Sequence, residues 1–296
     1  MSEHLQDLRD LGLLQPVGAV LVIDAKSDVL VGISANIAAF APKLTVDSTL
    51  GKMAETVLDA QLLHHARNAA VLPEFARKPE PLGVFDLGKD RLDVVAHQSG
   101  DHVIIELVPS KSEVSALSLL KDVTRLAERM DGHRSVEEMS ASFLKLLRIL
   151  SGYDRAQVLK LDTPGTLEVI AEARRTSLEP ALGQSVSLCK MSGDDHYGAI
   201  KIIVDVDEPA VPVRGHREAQ IDLGRCHFTR PTDAKRKQLA GVEMKAEFAQ
   251  SLVIDGQLWG QIVLQHGRAR NPSIRVKYAC HMVRPLLETN IARLLS

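Results

Sequence analysis

The chain has 296 residues, of which 45% are hydrophobic, and a formal net charge of −2, so it is long enough for two domains that each bury a core. The near-neutral charge argues against a nucleic-acid partner, and no apolar run is long enough to span a membrane, so we expect no membrane partner. Three widely spaced cysteines indicate neither a disulfide framework nor a zinc site, which favours a cytoplasmic location.

The first 110 residues predict a small antiparallel α+β domain. Short apolar or alternating runs between turn residues predict strands, and apolar residues spaced three to four apart predict helices. Strands are expected at 18–24, 29–34, 83–87, 91–98 and 102–108, and helices at 36–40, 50–58 and 61–70. We therefore predict an N-terminal segment at 1–15 and a sensor-type domain at 16–110.

A second α+β domain is predicted at 131–296, after a connecting helix at 111–130. Ser135, followed three residues later by Glu138, is typical of a helix N-terminus, and that helix should run to about Leu150. Strands are expected at 156–161, 167–173 and 200–206, a long loop at 207–224, a short basic helix at 232–239 and a final helix at 274–295.

The clearest local signal is a hairpin at 249–266. Two apolar runs rich in β-branched residues flank Asp255–Gly256, and an Asp-Gly pair suits the positive φ angles of a type I′ turn. Trp259 opens the second strand beside Gly260, whose missing side chain lets another backbone approach.

Seven segments, in order and at similar spacing, resemble the photosensory region of bacterial phytochromes. They are 14–24 (LQPVGAVLVID), 151–155 (SGYDR), 168–174 (EVIAEAR), 178–183 (LEPALG), 203–207 (IVDVD), 212–223 (with its Pro-Val and Ile-Asp-Leu) and 255–260 (DGQLWG). The resemblance implies a PAS domain followed by a GAF domain, each an antiparallel sheet with flanking helices. It also implies the family's figure-eight knot, in which the N-terminal segment passes through the 207–245 region.

The resemblance implies a linear tetrapyrrole in the GAF pocket, but the attachment residues of the family are missing. Bacterial members attach the bilin through an N-terminal cysteine, and Ser2, Glu3 and His4 occupy that region here, so no thiol is present to react. Other members use a Cys-His pair in the GAF domain. The pair Cys226-His227 lies eight residues before that position, which falls at Ala234. It is therefore better explained as a loop cysteine beside a surface histidine.

The former pocket positions are also changed. Leu159, Thr229 and Lys235 stand at matching positions, so the family's tyrosine, its stacking imidazole and its propionate-binding arginines are missing. Gln265 stands where the second pocket histidine is expected and could still donate a hydrogen bond. His266 matches the histidine that follows it, and Asp194 or Asp195 is a candidate to replace the family's pocket aspartate.

An unpaired charge in such a pocket would cost several kcal/mol. Lys235 is therefore predicted to point to solvent or to an acid such as Glu243 or Glu247. The shortened segment 184–199 should fill the former cavity with side chains such as Leu188 and Met191.

No enzyme or metal site is predicted. The adjacent histidines His64 and His65 point to different sides of a helix, and His196 near Asp194 and Asp195 is better explained as a solvated surface. The chain has no Gly-rich phosphate loop and no hydrolase or zinc-protease motif.

The sequence therefore predicts a phytochrome-like PAS–GAF signalling module with a degenerate pocket and no cofactor, which acts through protein–protein contacts. Two alternatives remain: a red-light photoreceptor that binds biliverdin non-covalently, and a GAF-type sensor of a small ligand. A homodimer is expected through the helices at 135–150 and 274–295, with a signalling partner or a downstream output domain.

Overall fold

A computed structural model describes residues 8–71, 79–86, 91–110, 115–188, 199–216 and 221–296. The chain forms two compact units. Unit 1 comprises residues 1–111 together with 208–230, and unit 2 comprises 112–207 together with 231–296. Residues 208–230, which the sequence analysis placed in the second domain, therefore pack with the first unit, and the connecting helix packs with the second.

Unit 1 is built on a seven-stranded antiparallel sheet with the order β1-β11-β3-β2-β6-β5-β4. Its strands are β1 (Leu8–Leu14), β2 (Ala19–Asp24), β3 (Leu30–Ser34), β4 (Glu80–Asp86), β5 (Arg91–Ser99), β6 (His102–Pro109) and β11 (Val211–His216). Its helices are α1 (Val46–Thr49) and α2 (Ala60–Val71), with short 3-10 turns at Ile37–Ala39 and Ala54–Thr56.

Both faces of the unit 1 sheet are covered. Strand residues such as Leu21, Ile33 and Ile105 pack against apolar residues of α2 on one face. The alternate residues, such as Val22 and Ile104, pack on the other face against the segment 221–230, which we call the strap. The central strands are therefore apolar on both sides, which is why β2 and β6 read as nearly continuous hydrophobic runs.

Unit 2 is built on a six-stranded antiparallel sheet with the order β10-β12-β13-β7-β8-β9. Its strands are β7 (Arg155–Thr163), β8 (Thr166–Arg174), β9 (Ser185–Ser187), β10 (Ile200–Ile203), β12 (Ala246–Ile254) and β13 (Gln257–His266). Its helices are α3 (Ala116–Glu128), α4 (Val136–Ser151), α5 (Asp233–Gly241) and α6 (Ile274–Leu295).

Helices α4 and α6 cover one face of the unit 2 sheet, and α3 packs against these two helices. The main core of the unit lies in that layer, where residues such as Phe143 and Val283 meet Ile262 and Phe248 of the sheet. The predicted cap of α4 is confirmed, since the Ser135 hydroxyl accepts a 3.2 Å hydrogen bond from the Glu138 amide.

The hairpin predicted at 249–266 is confirmed as β12 and β13. Its turn residues Asp255 and Gly256 have φ angles of 50° and 75°, the positive values of a type I′ turn. A Cβ at Gly260 would lie 2.1 Å from the carbonyl oxygen of Leu159, so this glycine is required by the close approach of β7.

Two of the predicted secondary-structure assignments are wrong. The helix expected at 50–58 is reduced to the 3-10 turn Ala54–Thr56, since Gly51 has a positive φ of 77° that breaks the run. The loop expected at 207–224 contains β11, which pairs with β1 and β3. Strands β1 and β11 pair with each other although about two hundred residues separate them in the chain. Local sequence patterns therefore did not reveal either strand.

The predicted architecture, two antiparallel sheets with flanking helices, is confirmed. The pairing of β1 with β11 joins the N-terminal strand to the segment that the knot would involve. The threading of the knot stays a prediction.

Candidate functional site

The second face of the unit 2 sheet, opposite its three helices, carries a row of polar side chains at one end. Glu247 of β12 is directly opposite Gln265 of β13, and Gln265 is directly opposite Arg155 of β7. Directly paired residues of an antiparallel sheet share a face, so these side chains lie side by side. We call this surface the polar face.

Two of the former pocket positions meet on one carboxylate of this face. Lys235 Nζ lies 2.6 Å from Glu247 Oε1, and the Gln265 amide donates a 2.9 Å hydrogen bond to Glu247 Oε2. The Glu247 side chain is 4% exposed and that of Lys235 is 21% exposed. We call these three residues the Lys235 clasp, and it confirms that Lys235 finds an acidic partner.

The helix α5 positions Lys235 for this contact. The Thr232 hydroxyl caps the helix by accepting a 3.2 Å hydrogen bond from the Lys235 amide. Lys235 Nζ also donates to Gln238 Oε1 at 3.0 Å, and the Gln238 amide donates to the Ser187 carbonyl at 3.2 Å. The clasp is thereby connected through α5 to the edge strand β9.

A second buried ion pair lies next to the clasp and was missed by the sequence analysis. Arg155 Nε is 3.1 Å from Glu172 Oε1, and both side chains are buried. Glu172 also accepts hydrogen bonds from the Gln157 side chain and from the Ala181 amide. The pair therefore holds the loop that follows β8 through the Ala181 amide. The one sequence feature that could have indicated Glu172 is the regular alternation of β8.

Apolar side chains lie beside this polar row on the same face. Leu159, at the former tyrosine position, is buried with Val169, Ala249 and Val263. Leu188, predicted to close the former cavity, packs against this cluster. Met191, Asp194, Asp195 and His196 lie outside the described residues, so their predicted roles stay predictions.

His266, beside the clasp, contacts Asp154. The two side chains approach to 2.7 Å, and Asp154 also accepts from the Gly267 amide at 3.0 Å and from Arg175 at 2.9 Å. Burial raises the pKa of Asp154, but the Gly267 amide, Arg175 and His266 outweigh it and hold that pKa below its usual value. Burial lowers the pKa of His266, and the charge of Asp154 opposes this only in part.

The remaining sequence candidates lie in unit 1 or outside the described residues. Thr229 belongs to unit 1, where it forms a bridge with Leu14 and accepts a hydrogen bond from the Gln15 side chain through its carbonyl. Cys226 and His227 are buried in the same strap. The surface-loop interpretation of that pair is therefore wrong. Glu3 lies outside the described residues.

Within the described ranges, no group of three or more histidine, cysteine or acidic side chains has a geometry that could hold a metal ion. None of the helices that the structure describes is long and apolar enough to cross a membrane.

Comparisons with known proteins agree with this architecture. Residues 4–110 match the PAS fold family. Phytochrome E of Ipomoea nil is 24% identical over 309 residues, which cover 96% of this chain and 28% of that protein. Phytochrome-like protein Cph1 of Synechocystis is 23% identical over 294 residues, which cover 95% of this chain and 39% of that protein. The chain thus spans well under half the length of these relatives.

Solved structures show the same fold over both units. The chromophore-binding domain of Stigmatella aurantiaca bacteriophytochrome, as its Thr289His mutant, has a TM-score of 0.81 and 23% identity, with 96% of each chain covered. That of bacteriophytochrome RpBphP3 from R. palustris has a TM-score of 0.77 and 19% identity, with 97% of this chain and 96% of that chain covered. The chain therefore has the PAS–GAF fold of phytochrome chromophore-binding domains. Its sequence is phytochrome-like over nearly its whole length.

Proposed function

We propose that this chain is a phytochrome-like sensory and signalling module whose GAF domain does not bind a bilin and which acts through protein–protein contacts. The observation that carries the proposal is the Lys235 clasp. The resemblance places a stacking imidazole at 235 and a hydrogen-bond donor to the bilin at 265. Here Lys235 and Gln265 both hold Glu247 instead.

A large planar ring at this place would have to displace Lys235 from Glu247. The carboxylate would then be buried with one partner fewer, and removing one partner of a buried ion pair typically costs about 3–5 kcal/mol. The Gln265 amide group is already engaged with Glu247 and would have to rotate to reach a ring carbonyl. These costs oppose bilin binding before any loss of the attachment cysteine is counted.

Protein–protein contacts are supported by the exposed apolar side chains of the helical layer. Ile149 of α4 is 68% exposed, and Met282 and Leu286 of α6 are also exposed, one helical turn apart. Exposed apolar groups at this spacing are typical of a helix that packs against a partner. We propose a second copy of this chain as that partner, with the signal passed to a separate or downstream output domain.

A small-ligand sensor is the second candidate. Ser251 follows Glu247 and Ala249 on the polar face, its side chain is almost fully buried, and its hydroxyl has no hydrogen-bond partner among the described residues. A buried hydroxyl without a partner is costly unless something else satisfies it. Mass spectrometry of the freshly purified protein after denaturation would reveal a co-purifying small molecule, and its absence would count against this candidate.

The bilin question is tested by co-expression with a source of biliverdin, with the Stigmatella chromophore-binding domain as the positive control. We expect no red-absorbing species and no covalent band on a denaturing gel. Changing Lys235→His together with Glu3→Cys should not restore attachment, because we expect the former cavity to be filled and to lack room as well as chemistry. If the double variant turned green with biliverdin, the pocket would be intact. The hypothesis of a photoreceptor that binds biliverdin non-covalently would then replace this proposal.

A further inference from the structure

One carboxylate of unit 2 joins the long helix α6 to the end of strand β12. The amide of Val253 donates a 2.7 Å hydrogen bond to Glu288 Oε1. Arg284, one turn earlier in α6, donates to both oxygens of the same carboxylate, at 2.8 and 2.9 Å. The side chains of Arg284 and Glu288 are only 11% and 14% exposed. Charge-assisted hydrogen bonds away from water are among the stronger ones in proteins, so this contact is a specific attachment.

The attachment lies on the edge of β12, just past the end of β10. Strand β10 pairs with β12 as far as Gln250, and the Ser251 amide donates a 3.0 Å hydrogen bond to the Ala199 carbonyl. Amides two residues apart in a strand point to the same edge, so the Val253 amide is the next donor on this side. The Glu288 carboxylate therefore takes the position that a neighbouring strand would occupy.

Helix α6 is interrupted by Pro285, which separates the helix into two halves. A proline has no amide hydrogen, so the helical bond from position 285 to position 281 cannot form. The Thr289 hydroxyl donates a 2.9 Å hydrogen bond to the Pro285 carbonyl, and threonine bonds of this kind often bend a helix. The two halves are therefore joined less rigidly than the turns of an uninterrupted helix.

Each half of α6 has its own polar attachment. Arg275, in the first turn, pairs with the buried carboxylate of Asp122 on α3. Beyond the proline, Glu288 holds the edge of β12. Leu287 and Ile291 also pack this half into the core. Apolar packing is non-directional, whereas a hydrogen bond has a preferred geometry, so the carboxylate fixes where the second half lies along the sheet.

We propose that Glu288 is a pin that couples the second half of α6, residues 286–295, to the end of β12, independently of the first half. Strand β12 also carries Glu247 and Ser251 of the polar face, and the second half of α6 carries the exposed Leu286. The pin is thus a positioning device between the polar face and the proposed contact surface. Its link to that surface rests on the proposed function, whereas the pin itself does not.

Hydrogen–deuterium exchange with residue-level mass spectrometry tests the pin. Glu288→Ala removes both acceptor oxygens, so the Val253 amide and the amides at 286–291 should exchange about tenfold faster. The amides at 278–284 should keep their wild-type rates, because Arg275 and the core hold the first half. Glu288→Gln keeps one acceptor oxygen but not the charge, so its effect on Val253 should be only a few-fold. If the alanine variant does not fold, the glutamine variant carries the same test.

Arg293→Ala is the matched control, because it removes an exposed charge from the same half of α6. Its guanidinium donates to Asn290 of the same helix, and its loss should leave the Val253 amide unchanged. An unchanged Val253 amide in both Glu288 variants would overturn the pin. An equal increase in both halves of α6 would show a general loss of stability and would also overturn it.

The link to the contact surface is measured by the dissociation constant of the dimer, from sedimentation over a concentration series. Both Glu288 variants should raise this constant several-fold, because Leu286 lies on the half that they release. Faster exchange with an unchanged dissociation constant would overturn the link and leave the pin in place. A monomeric wild-type chain would contradict the proposed contact surface itself, and the exchange rates would still decide the pin.

Discussion

Lys235 on α5 and Glu247 on β12 form a 2.6 Å ion pair in which the carboxylate is almost completely buried. The Gln265 amide occupies the second oxygen of the same carboxylate. Two positions that the phytochrome resemblance assigns to chromophore-binding histidines are thus used to satisfy one acidic side chain. The polar face is therefore internally paired at the place where the resemblance would put a ring.

Removing the lysine should destabilise unit 2. In Lys235→Met, Glu247 stays buried and keeps only Gln265, so the free energy of unfolding should fall by about 2–3 kcal/mol, below the full value for a buried pair because Lys235 is partly exposed. Urea unfolding measures this change. Adding Glu247→Gln should recover at least half of the loss, whereas Lys160→Met, at an exposed lysine of β7, should have little effect. An equal loss in the single and double variants would contradict the clasp.

Gly260 should not tolerate a side chain. Gly260→Ala places a Cβ against the Leu159 carbonyl of the neighbouring strand, and such overpacking typically costs about 1–3 kcal/mol. Gly241→Ala is the matched control. It meets nothing within 4 Å at the end of α5 and should be neutral or slightly stabilising. The two variants are compared by thermal and urea unfolding, and a neutral Gly260→Ala would show that β7 and β13 are farther apart.

His266 should titrate below its ordinary pKa of 6.5, because burial disfavours its charged form. As the pH falls below 6.5, the unfolded chain binds a proton that the folded chain resists, so the free energy of unfolding should decrease. Asp154→Asn removes the neighbouring charge that favours protonation, so the pKa of His266 should fall further. NMR titration of the imidazole measures both values, with Asp131→Asn as the control.

A pKa of His266 above 6.5 in the wild-type chain would mean that the Asp154 charge outweighs burial. The stability should decrease again below about pH 3.8, where Asp154, whose folded pKa is lowered, becomes protonated. This second decrease belongs to the carboxylate and should be weaker in Asp154→Asn.

The exposed apolar residues of α4 and α6 should mediate a homodimer. Ile149→Glu and Leu286→Glu place charges on the helical layer and should give a monomer by light scattering at tens of micromolar, where the wild-type chain is expected to be a dimer. Leu182→Glu changes an equally exposed leucine outside these helices and should leave the dimer intact. A monomeric wild-type chain would count against this interface.

Elements with strong local signals were predicted well. The Asp255–Gly256 turn specifies its hairpin through two positive φ angles, and α6 was predicted with the bounds that the structure gives it. By contrast, β1 and β11 are separated by about two hundred residues in the chain, and neither strand has a local pattern that identifies the other as its partner. Sequence periodicity describes a strand's faces but not its neighbours.

The contacts of the polar face could be predicted only in part. A lysine beside an apolar pocket needs solvent or an acid, and this physical requirement named Glu247 as one candidate partner before its position was known. The Arg155–Glu172 pair depends on the register of β7 against β8, which includes a bulge, so the sequence alone did not reveal it. The buried Glu106 under the strap was missed for a similar reason, since the strap reaches it from more than a hundred residues away.

The absorption spectrum of the chain co-expressed with a biliverdin source tests the central claim most directly. We predict no red or far-red band in the purified protein and no zinc-induced bilin fluorescence after denaturation, while the Stigmatella chromophore-binding domain prepared in parallel is coloured. A red-absorbing band in the native wild-type protein would contradict the account and show that the Lys235 clasp opens to admit the chromophore.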